Sequence, residues 1–344
     1  MKRILILYRE LAGYFVECVN YLSRQHNVAI DIIAYPVNPD APFAFSFGPQ
    51  VQVFRRSDFN TESLLAKASA VKYDMIFCGG WGDRDYLHVV KKTDCKVKLL
   101  GFDNQWSGSF RQRMASFYAH RAITPIFNVA FVPGPGQVAF AKNIGFKDSQ
   151  IISGAYCCDV DKFRSIVRDN PKGAKKLYFV GRYAPEKFIA ELTQTMSELL
   201  AGNLYNWELH CAGVGPLWNE RLEYNGIVHK GFMQPDELAN WMKDGDAFIL
   251  PSTFEPWGVA VHEFAAAGYP LILSDCVGAR HAFLEDGKNG YLFRCGSKAD
   301  MKEKMRQLFA KSDEELDKMG QRSRELSQRI THETWASSLY GLIK

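Results

Sequence analysis

The sequence lacks a long apolar segment, a cysteine framework and a strong excess of one charge. Its longest apolar runs, as at residues 4–7 and 271–273, are strand-sized and far shorter than the roughly 20 residues that span a bilayer. Eight cysteines are scattered along 344 residues without a CxxC or Cys/His ligand spacing, which predicts free thiols rather than disulfides or a metal site. The net charge of +4 is too small to indicate a nucleic-acid-binding protein.

Two further absences narrow the class of protein. Met1, Lys2 and Arg3 precede only a short aliphatic run, too short for a signal peptide, so we expect a cytoplasmic protein. Residues 1–40 contain no GxGxxG fingerprint, which disfavours a Rossmann-type dehydrogenase. What remains, with 47% hydrophobic and 23% charged residues, is the composition of an ordinary globular protein.

The pattern of strands and helices occurs in two blocks. A chain of 344 residues is longer than one hydrophobic core usually supports, so we expect two domains. Apolar runs such as RILILY, VAIDIIAY and YDMIFCG alternate with amphipathic stretches up to about residue 159, and the alternation restarts at KLYFVGRY. This predicts two α/β domains with doubly wound parallel sheets, joined near residues 165–174. In such sheets ligands bind at the carboxyl ends of the strands.

Two loops after strands carry residues suited to a phosphate. In FVGRYAPEK a strand ends at Gly181 and is followed by Arg182 and Lys187. Two cations beside the N–H groups of a helix start would suit a diphosphate, although a solvated basic loop is the commoner fate of such a pair. The segment CAGVGP places Gly213 and Gly215 in a tight turn that lets backbone approach a ligand, which is a weak signal by itself.

A pair of glutamates stands in PSTFEPWGVAVHEFAAAG. Glu255 lies in the loop after an apolar strand, and Glu263 lies about two turns into the next helix. Carboxylates in these positions accept hydrogen bonds from sugar and ribose hydroxyls, and the N–H groups of Trp257, Gly258 and Val259 at the helix start suit phosphate or hydroxyl oxygens. The spacing equally allows a structural salt bridge for Glu263 and a helix cap for Glu255.

Taken in order, these motifs resemble the retaining glycosyltransferases of family 4, the glycosyl transferases group 1, which have the GT-B fold. The matching segments are VGRYAPEK, AGVGP, KGFMQPDELANWMKDGDAFILPS, EPWGVAVHE and DGKNGYLF. The resemblance implies two Rossmann-like domains facing a central cleft, with a C-terminal helix crossing back to the N-terminal domain. We therefore expect residues 1–168 and 330–344 to form an acceptor-binding domain and residues 169–329 a nucleotide-sugar-binding domain.

The resemblance also implies a role for each motif. Arg182 and Lys187 would bind the donor diphosphate, and Glu263 would hold the nucleotide ribose. Glu255 and the backbone from Trp257 to Val259 would hold the transferred sugar. The base would lie near three apolar residues, Phe232, Met233 and Leu238. One departure from the family is Phe188, which stands where a glycine commonly follows the phosphate-site lysine.

An Asp-x-Asp in CCDVDKF invites a metal site, but its Asp159 and Phe163 match a family motif at the end of the N-terminal domain. We therefore expect no metal in catalysis and no cofactor beyond the nucleotide-sugar substrate. The terminal HETWASSLY resembles the helix that returns to the N-terminal domain through a tryptophan, here Trp335.

The acceptor side is marked by fewer residues. Asp103, in LGFDNQW, replaces the histidine that the family usually has at a mid-domain strand end, so it is our candidate for orienting the acceptor hydroxyl; a structural aspartate is the alternative. Gly13 would let backbone approach the diphosphate. Residues 104–147 contain no Asp or Glu but many cations and aromatic rings. This suits a membrane interface or a pyrophosphate-linked lipid, unless the rings are core and the cations solvated.

The hypothesis is thus a retaining glycosyltransferase that moves a sugar from a nucleotide-sugar to a glycan or lipid-linked acceptor, in bacterial surface polysaccharide or lipopolysaccharide synthesis, with possible peripheral membrane contact. No nucleophile faces the sugar in the motifs, which favours front-face attack assisted by the leaving phosphate. The alternatives are a sugar-nucleotide epimerase and a non-catalytic GT-B protein that binds a glycan or a partner.

Overall fold

The computed structural model describes residues 1–38, 42–168, 173–202 and 204–344, and these divide into two compact units. The first unit contains Met1–Cys157 and Ile330–Lys344, and the second contains Cys158–Arg329. Residue 169, where the second domain was predicted to begin, and residues 169–172 of the predicted linker lie outside the described ranges.

The first unit is built on a parallel sheet. Its strands are β1 (Arg3–Tyr8), β2 (Ala29–Ala34), β3 (Val51–Arg55), β4 (Met75–Gly79), β5 (Val97–Gly101), β6 (Val129–Val132) and β7 (Ile151–Ser153), in the order β3-β2-β1-β4-β5-β6-β7. Its helices are α1 (Gly13–His26), α2 (Thr61–Ser69), α3 (Arg84–Lys92), α4 (Phe110–Ala122), α5 (Pro135–Asn143) and the C-terminal α13 (His332–Tyr340). Helices cover both faces of such a sheet, so its central strands are continuously apolar, as in the fully buried run Ile4–Leu7.

The C-terminal helix is anchored in the first unit by its tryptophan. Trp335 is buried, its ring lies against Phe15 and Phe131, and its indole Nε1 donates to the Ala155 carbonyl at 2.9 Å. A buried indole needs such an acceptor, so one side chain supplies both packing and direction. The expected return of the chain end to the N-terminal domain is therefore confirmed.

The second unit repeats the architecture with a parallel sheet of order β10-β9-β8-β11-β12-β13. The strands are β8 (Lys175–Val180), β9 (Trp207–Ala212), β10 (Ile227–His229), β11 (Ala247–Leu250), β12 (Leu271–Ser274) and β13 (Gly290–Phe293). The helices are α6 (Val160–Arg164), α7 (Ile189–Leu200), α8 (Pro235–Trp241), α9 (Val259–Ala267), α10 (Arg280–Phe283), α11 (Lys298–Phe309) and α12 (Asp313–Ser327). Both predicted doubly wound parallel sheets are thus present.

Each strand order reverses direction at one point, and that point predicts where a ligand binds. The reversal lies between β1 and β4 in the first unit and between β8 and β11 in the second. Loops that leave neighbouring strands there diverge to opposite faces and open a crevice at the carboxyl edge. The segments that follow these four strands are therefore the ones that position a site.

One expectation about cysteine was wrong. Cys276 and Cys295, which follow β12 and β13, form a disulfide with a Cα–Cα distance of 5.7 Å. The sequence spacing of these two cysteines does not indicate a disulfide, because they are brought together only by the pairing of two adjacent parallel strands. The other six cysteines form no disulfide. None of the helices in the described ranges combines the length and apolar character needed to cross a membrane.

Candidate functional site

The loops after β8 and β9 form one interlocked turn. The Gly181 N–H donates to the Ala212 carbonyl, and the Tyr183 N–H donates to the Val214 carbonyl, both at 3.0 Å. Gly213 has φ +132°, and a Cβ there would lie 1.9 Å from the Gly181 carbonyl oxygen. Only glycine permits this approach, so Gly213 holds the backbone of the segment that carries Arg182.

The two predicted phosphate-binding cations have different surroundings. Arg182 is exposed just after β8, whereas Lys187 ends a short 3₁₀ turn, Pro185–Lys187, before α7. The next residue, Phe188, has φ +57° in the left-handed region. A bulky residue is strained there, which gives a physical reason for the glycine that the family commonly has at this position.

Lys187 and Glu255 meet across the switch point of the second sheet. The Lys187 ammonium forms an ion pair with a Glu255 carboxylate oxygen, and the two side chains are only 16% and 12% exposed. The Thr253 N–H donates to the Glu186 carbonyl at 2.8 Å, and this bond fixes the loop after β11 against the turn after β8. Two motifs separated by 68 residues in the chain are therefore one charged cluster.

The start of α9 lies directly beside this cluster. Gly258 is the N-cap residue with φ +95°, and Val259 is the first helical residue. Trp257 is buried, and its indole N–H has no hydrogen-bond partner among the described residues. The first N–H groups of a helix have no intrahelical acceptor, so this backbone offers donors to an oxygen-rich ligand.

Glu263 is a carboxyl of this region with no hydrogen-bond or ion-pair partner among the described residues. The residue keeps some solvent contact, but desolvation of its carboxyl raises the pKa to about 7, with Lys162 opposing the shift. Lys162 pairs instead with Asp236, at 2.5 Å. Within the described ranges no ion pair includes Glu263, so the structural salt bridge considered for it is not observed. A desolvated carboxyl with unused acceptor capacity is suited to ligand hydroxyls.

The residues predicted to surround the base lie after β10 and on α8. Phe232 and Met233 are half-buried, Leu238 is buried, and the Gly231 carbonyl accepts from the Gly213 N–H at 2.6 Å. Gly215 lies two residues after Gly213. The Trp218 N–H donates to the Gly215 carbonyl at 2.9 Å and closes this turn. These residues therefore belong to the same edge of the second sheet as Gly181.

The Asp-x-Asp segment has a structural role in its first aspartate. Asp159 is the N-cap of α6, and its carboxylate accepts a hydrogen bond from the Lys162 backbone N–H at 3.1 Å. Phe163 lies within this helix, and its side chain is buried. Capping satisfies an otherwise unpaired backbone donor.

The first unit has its own pocket at the carboxyl edge of its sheet. Its volume is about 420 Å³, and it is lined by residues at or just beyond the ends of β1, β4 and β5, among them Tyr8, Gly80 and Asp103. Gly79 at the end of β4 makes room for it, because a Cβ there would lie 2.4 Å from the Tyr8 ring. Gly13 is the first residue of α1, between the lining residues Ala12 and Tyr14.

Asp103 shares this pocket with Tyr156, a tyrosine that the sequence did not single out. Burial raises the pKa of the Asp103 carboxyl, and a hydrogen bond from the Tyr156 hydroxyl opposes the shift. Tyr8 and Tyr14 line the same pocket as Tyr156, and burial raises the pKa of all three phenols. One carboxyl and three neutral hydroxyls thus form a polar cluster among aromatic rings. Isolated tyrosines at strand and helix ends carry no motif that would have revealed it.

The comparisons with known proteins agree with this description. Residues 162–326 match the family model for glycosyl transferases group 1. An uncharacterized glycosyltransferase of Methanocaldococcus jannaschii is 34% identical over 123 residues, which are 34% of this chain and 31% of that protein. A sulfoquinovosyl transferase of Arabidopsis thaliana is 33% identical over 136 residues, which are 38% of this chain and 26% of that protein. The chain spans less than half the length of these curated relatives.

Solved structures share the whole fold at low identity. Sucrose-phosphate synthase from Thermosynechococcus elongatus has a TM-score of 0.77 at 16% identity, with 99% of this chain and 98% of that chain covered. HepE of Anabaena, in complex with UDP and glucose, has a TM-score of 0.74 at 13% identity, with 98% of each chain covered. The fold is GT-B, and the similarity to the glycosyl transferases group 1 family lies in residues 162–326.

Proposed function

We propose that the protein is a metal-independent, retaining glycosyltransferase of family 4 that transfers a sugar from a nucleotide-sugar to a glycan or lipid-linked acceptor. The observation that carries this proposal is the charged cluster at the switch point of the second sheet. Lys187 and Glu255 are paired there beside the start of α9, and Glu263 lies on that helix with a carboxyl that has no partner within the described part of the chain. A cation, helix N–H groups and a free carboxyl match the diphosphate and ribose of such a donor.

Each group has a defined task in the proposed reaction. Arg182 and Lys187 neutralise the charge that develops on the leaving diphosphate, and Glu263 accepts hydrogen bonds from the ribose. Glu255 holds Lys187 in position and receives hydroxyls of the transferred sugar. The leaving phosphate takes the acceptor proton as the acceptor attacks from the same face. Positioning and electrostatic stabilisation, rather than a covalent intermediate, then lower the barrier.

The first unit supplies the acceptor side of this proposal. The Asp103 carboxyl, raised in pKa by burial and held by Tyr156, is suited to accept a hydrogen bond from an acceptor hydroxyl. The pocket around it is lined by phenol hydroxyls and aromatic rings. A sugar ring needs both kinds of group, because its hydroxyls form hydrogen bonds and its C–H faces pack on apolar surface.

A thermal-shift panel of UDP-, GDP-, dTDP- and ADP-sugars tests the donor. A ligand that binds only the folded state raises the melting temperature by mass action, so we expect one nucleotide class to stabilise the wild type but not Arg182→Ala. Addition of EDTA should leave transfer unchanged. Silence across the panel would contradict the proposal and favour the non-catalytic binding protein, and a rate lost in EDTA and restored by Mn²⁺ would contradict metal independence.

A further inference from the structure

Helix α4 in the first unit presents large apolar side chains to solvent. They are Phe110, Met114, Phe117 and Tyr118, which are 78%, 56%, 59% and 66% exposed. Scattered exposed hydrophobic residues are normal, but a continuous row of four on one helix is not. Other rings of the acid-free segment, such as those of Trp106 and Phe127, do pack into the core. The core explanation for the aromatic residues therefore applies to part of the segment and not to α4.

The exposed row lies opposite the face by which α4 packs on its unit. Residues 110, 114 and 117 follow the spacing of one helical face, while the inward face consists of small or polar residues, Gln112, Ser116 and Ala119. The helix thus needs none of its large apolar side chains for its own packing. Burying a side chain such as Phe contributes about 2 kcal/mol, so their exposure leaves that contribution unused.

The charged side chains of α4 itself have one sign. Arg111, Arg113 and Arg121 flank the exposed row, Arg121 stacks on the Phe117 ring at 3.6 Å, and residues 104–147 contain neither Asp nor Glu. A surface with apolar side chains and only positive charges has no particular complementarity to a protein partner of ordinary composition. It is complementary to an anionic lipid bilayer, because the headgroups carry negative charge at the level of the arginines and the acyl chains beneath them are apolar.

The helix is held rigidly to the pocket that contains Asp103. Only the loop 104–109 separates them, and Gln112 fastens that loop to the helix. Its side chain accepts from the Ser107 N–H at 2.6 Å and donates to the Gln105 carbonyl at 2.5 Å. The surface on which α4 lies therefore determines what is presented near the pocket.

We propose that α4 docks the protein on an anionic membrane surface, with Phe110, Met114, Phe117 and Tyr118 inserted among the lipids and the flanking arginines on the headgroups. Because α4 begins only a few residues after Asp103, which lines the pocket of the first unit, a lipid-anchored acceptor suits this arrangement. The docking itself does not depend on the proposed transfer, so the two are tested separately.

Vesicle flotation without donor or acceptor measures the docking. We expect the wild type to float with vesicles of phosphatidylcholine and phosphatidylglycerol, to remain unbound with pure phosphatidylcholine, and to dissociate at high salt. Phe117→Ser should lower the partition coefficient by about tenfold or more, and Arg111→Gln by about fivefold. Both side chains are exposed, so both variants should keep the wild-type melting temperature.

Two matched controls exclude general surface effects. Leu222→Ser in the second unit changes a side chain that is likewise 59% exposed, and Lys288→Gln removes an exposed cation there. Neither should alter flotation. Equal binding to neutral and anionic vesicles, or equal behaviour of Phe117→Ser and Leu222→Ser, would overturn the proposal. The proposal would also be overturned if the protein bound neither kind of vesicle and formed a dimer that dissociates in Phe117→Ser. A second copy of the chain would then cover this face of α4. A protein that floats but binds no nucleotide-sugar would refute the proposed function and leave the docking intact.

Discussion

The two units have the same sheet design but different chemistry at their switch points. In the second unit the proposed site is built from charges, the Lys187–Glu255 pair and the desolvated carboxyl of Glu263. In the first unit it is built from one carboxyl, Asp103, and neutral phenols around it. A diphosphate demands cations at fixed positions, whereas a hydroxylated ring is satisfied by many arrangements of hydroxyl groups. This difference explains why one site has a recognisable sequence pattern and the other does not.

The largest effect should come from breaking the charged cluster. Lys187→Ala removes a cation from the proposed diphosphate site and leaves Glu255 without that partner, so kcat/KM should fall by about 10²–10³-fold. Steady-state kinetics with the donor found by thermal shift measures this. Lys176→Ala is the matched control, since Lys176 also pairs with a carboxylate, Asp244, in the same unit. It should lower stability without affecting donor binding, and equal losses of activity in the two variants would contradict the assignment.

The next effect should come from the backbone that carries Arg182. Gly213→Ala places a Cβ against the Gly181 carbonyl oxygen and adds strain at φ +132°, so we expect a loss of about 3 kcal/mol in unfolding free energy. Chemical denaturation measures it. Gly287→Ala has φ +76° with no atom within 4 Å of the added Cβ and should cost only about 1 kcal/mol. Equal costs would show that the close approach to Gly181 carries no energy.

Because of Glu263, the stability of the fold should fall and the affinity for the donor should rise as the pH increases. Its pKa rises from 4.5 to about 7 on folding, so between those values the folded chain holds a proton that the unfolded chain releases. Stability should therefore fall as pH rises through this window, by at most about 3 kcal/mol. Donor binding should tighten as pH passes 7, because the ionised carboxyl accepts ribose hydroxyls better.

Melting temperatures and calorimetric titrations between pH 5 and about 8 test both trends. Glu263→Gln should remove the fall in stability, and it should weaken donor binding mainly above about pH 7, where the wild-type carboxyl is ionised. Glu191→Gln, a half-buried glutamate on α7, should leave both profiles unchanged. A wild-type stability that is flat across the window would show that the Glu263 carboxyl is not desolvated.

The smallest effect should come from the neutral pocket. Tyr156→Phe removes the hydrogen bond that opposes the rise in the Asp103 pKa, so that pKa should increase further, with a cost of about 1 kcal/mol in stability. Carbon-detected NMR titration of Asp103 measures the shift. Tyr73→Phe breaks another tyrosine–carboxylate bond, to Asp31 at 2.5 Å, and should cost similar stability without moving the Asp103 pKa. An unchanged Asp103 titration in Tyr156→Phe would contradict the proposed support.

Much of the second unit could be predicted from sequence, because its determinants are local. Alternating apolar runs specify buried parallel strands, and the motifs around Arg182 and Glu255 stand next to the strands that position them. The location of the sites at strand ends follows from the same pattern. The glycine turn at Gly213 was a weak signal, and the structure gives it a reason in the contact with Gly181.

The sequence by itself determined the α/β class, the two-sheet organisation and the charged motifs of the second unit, since periodicity and charge spacing are properties of neighbouring residues. Only the tertiary structure decided which distant groups meet. It paired Lys187 with Glu255, joined Cys276 to Cys295, brought Tyr156 to Asp103 and left the rings of α4 in solvent. The physical reason is that burial and pairing depend on strand order, and strand order places side by side residues that are far apart along the chain.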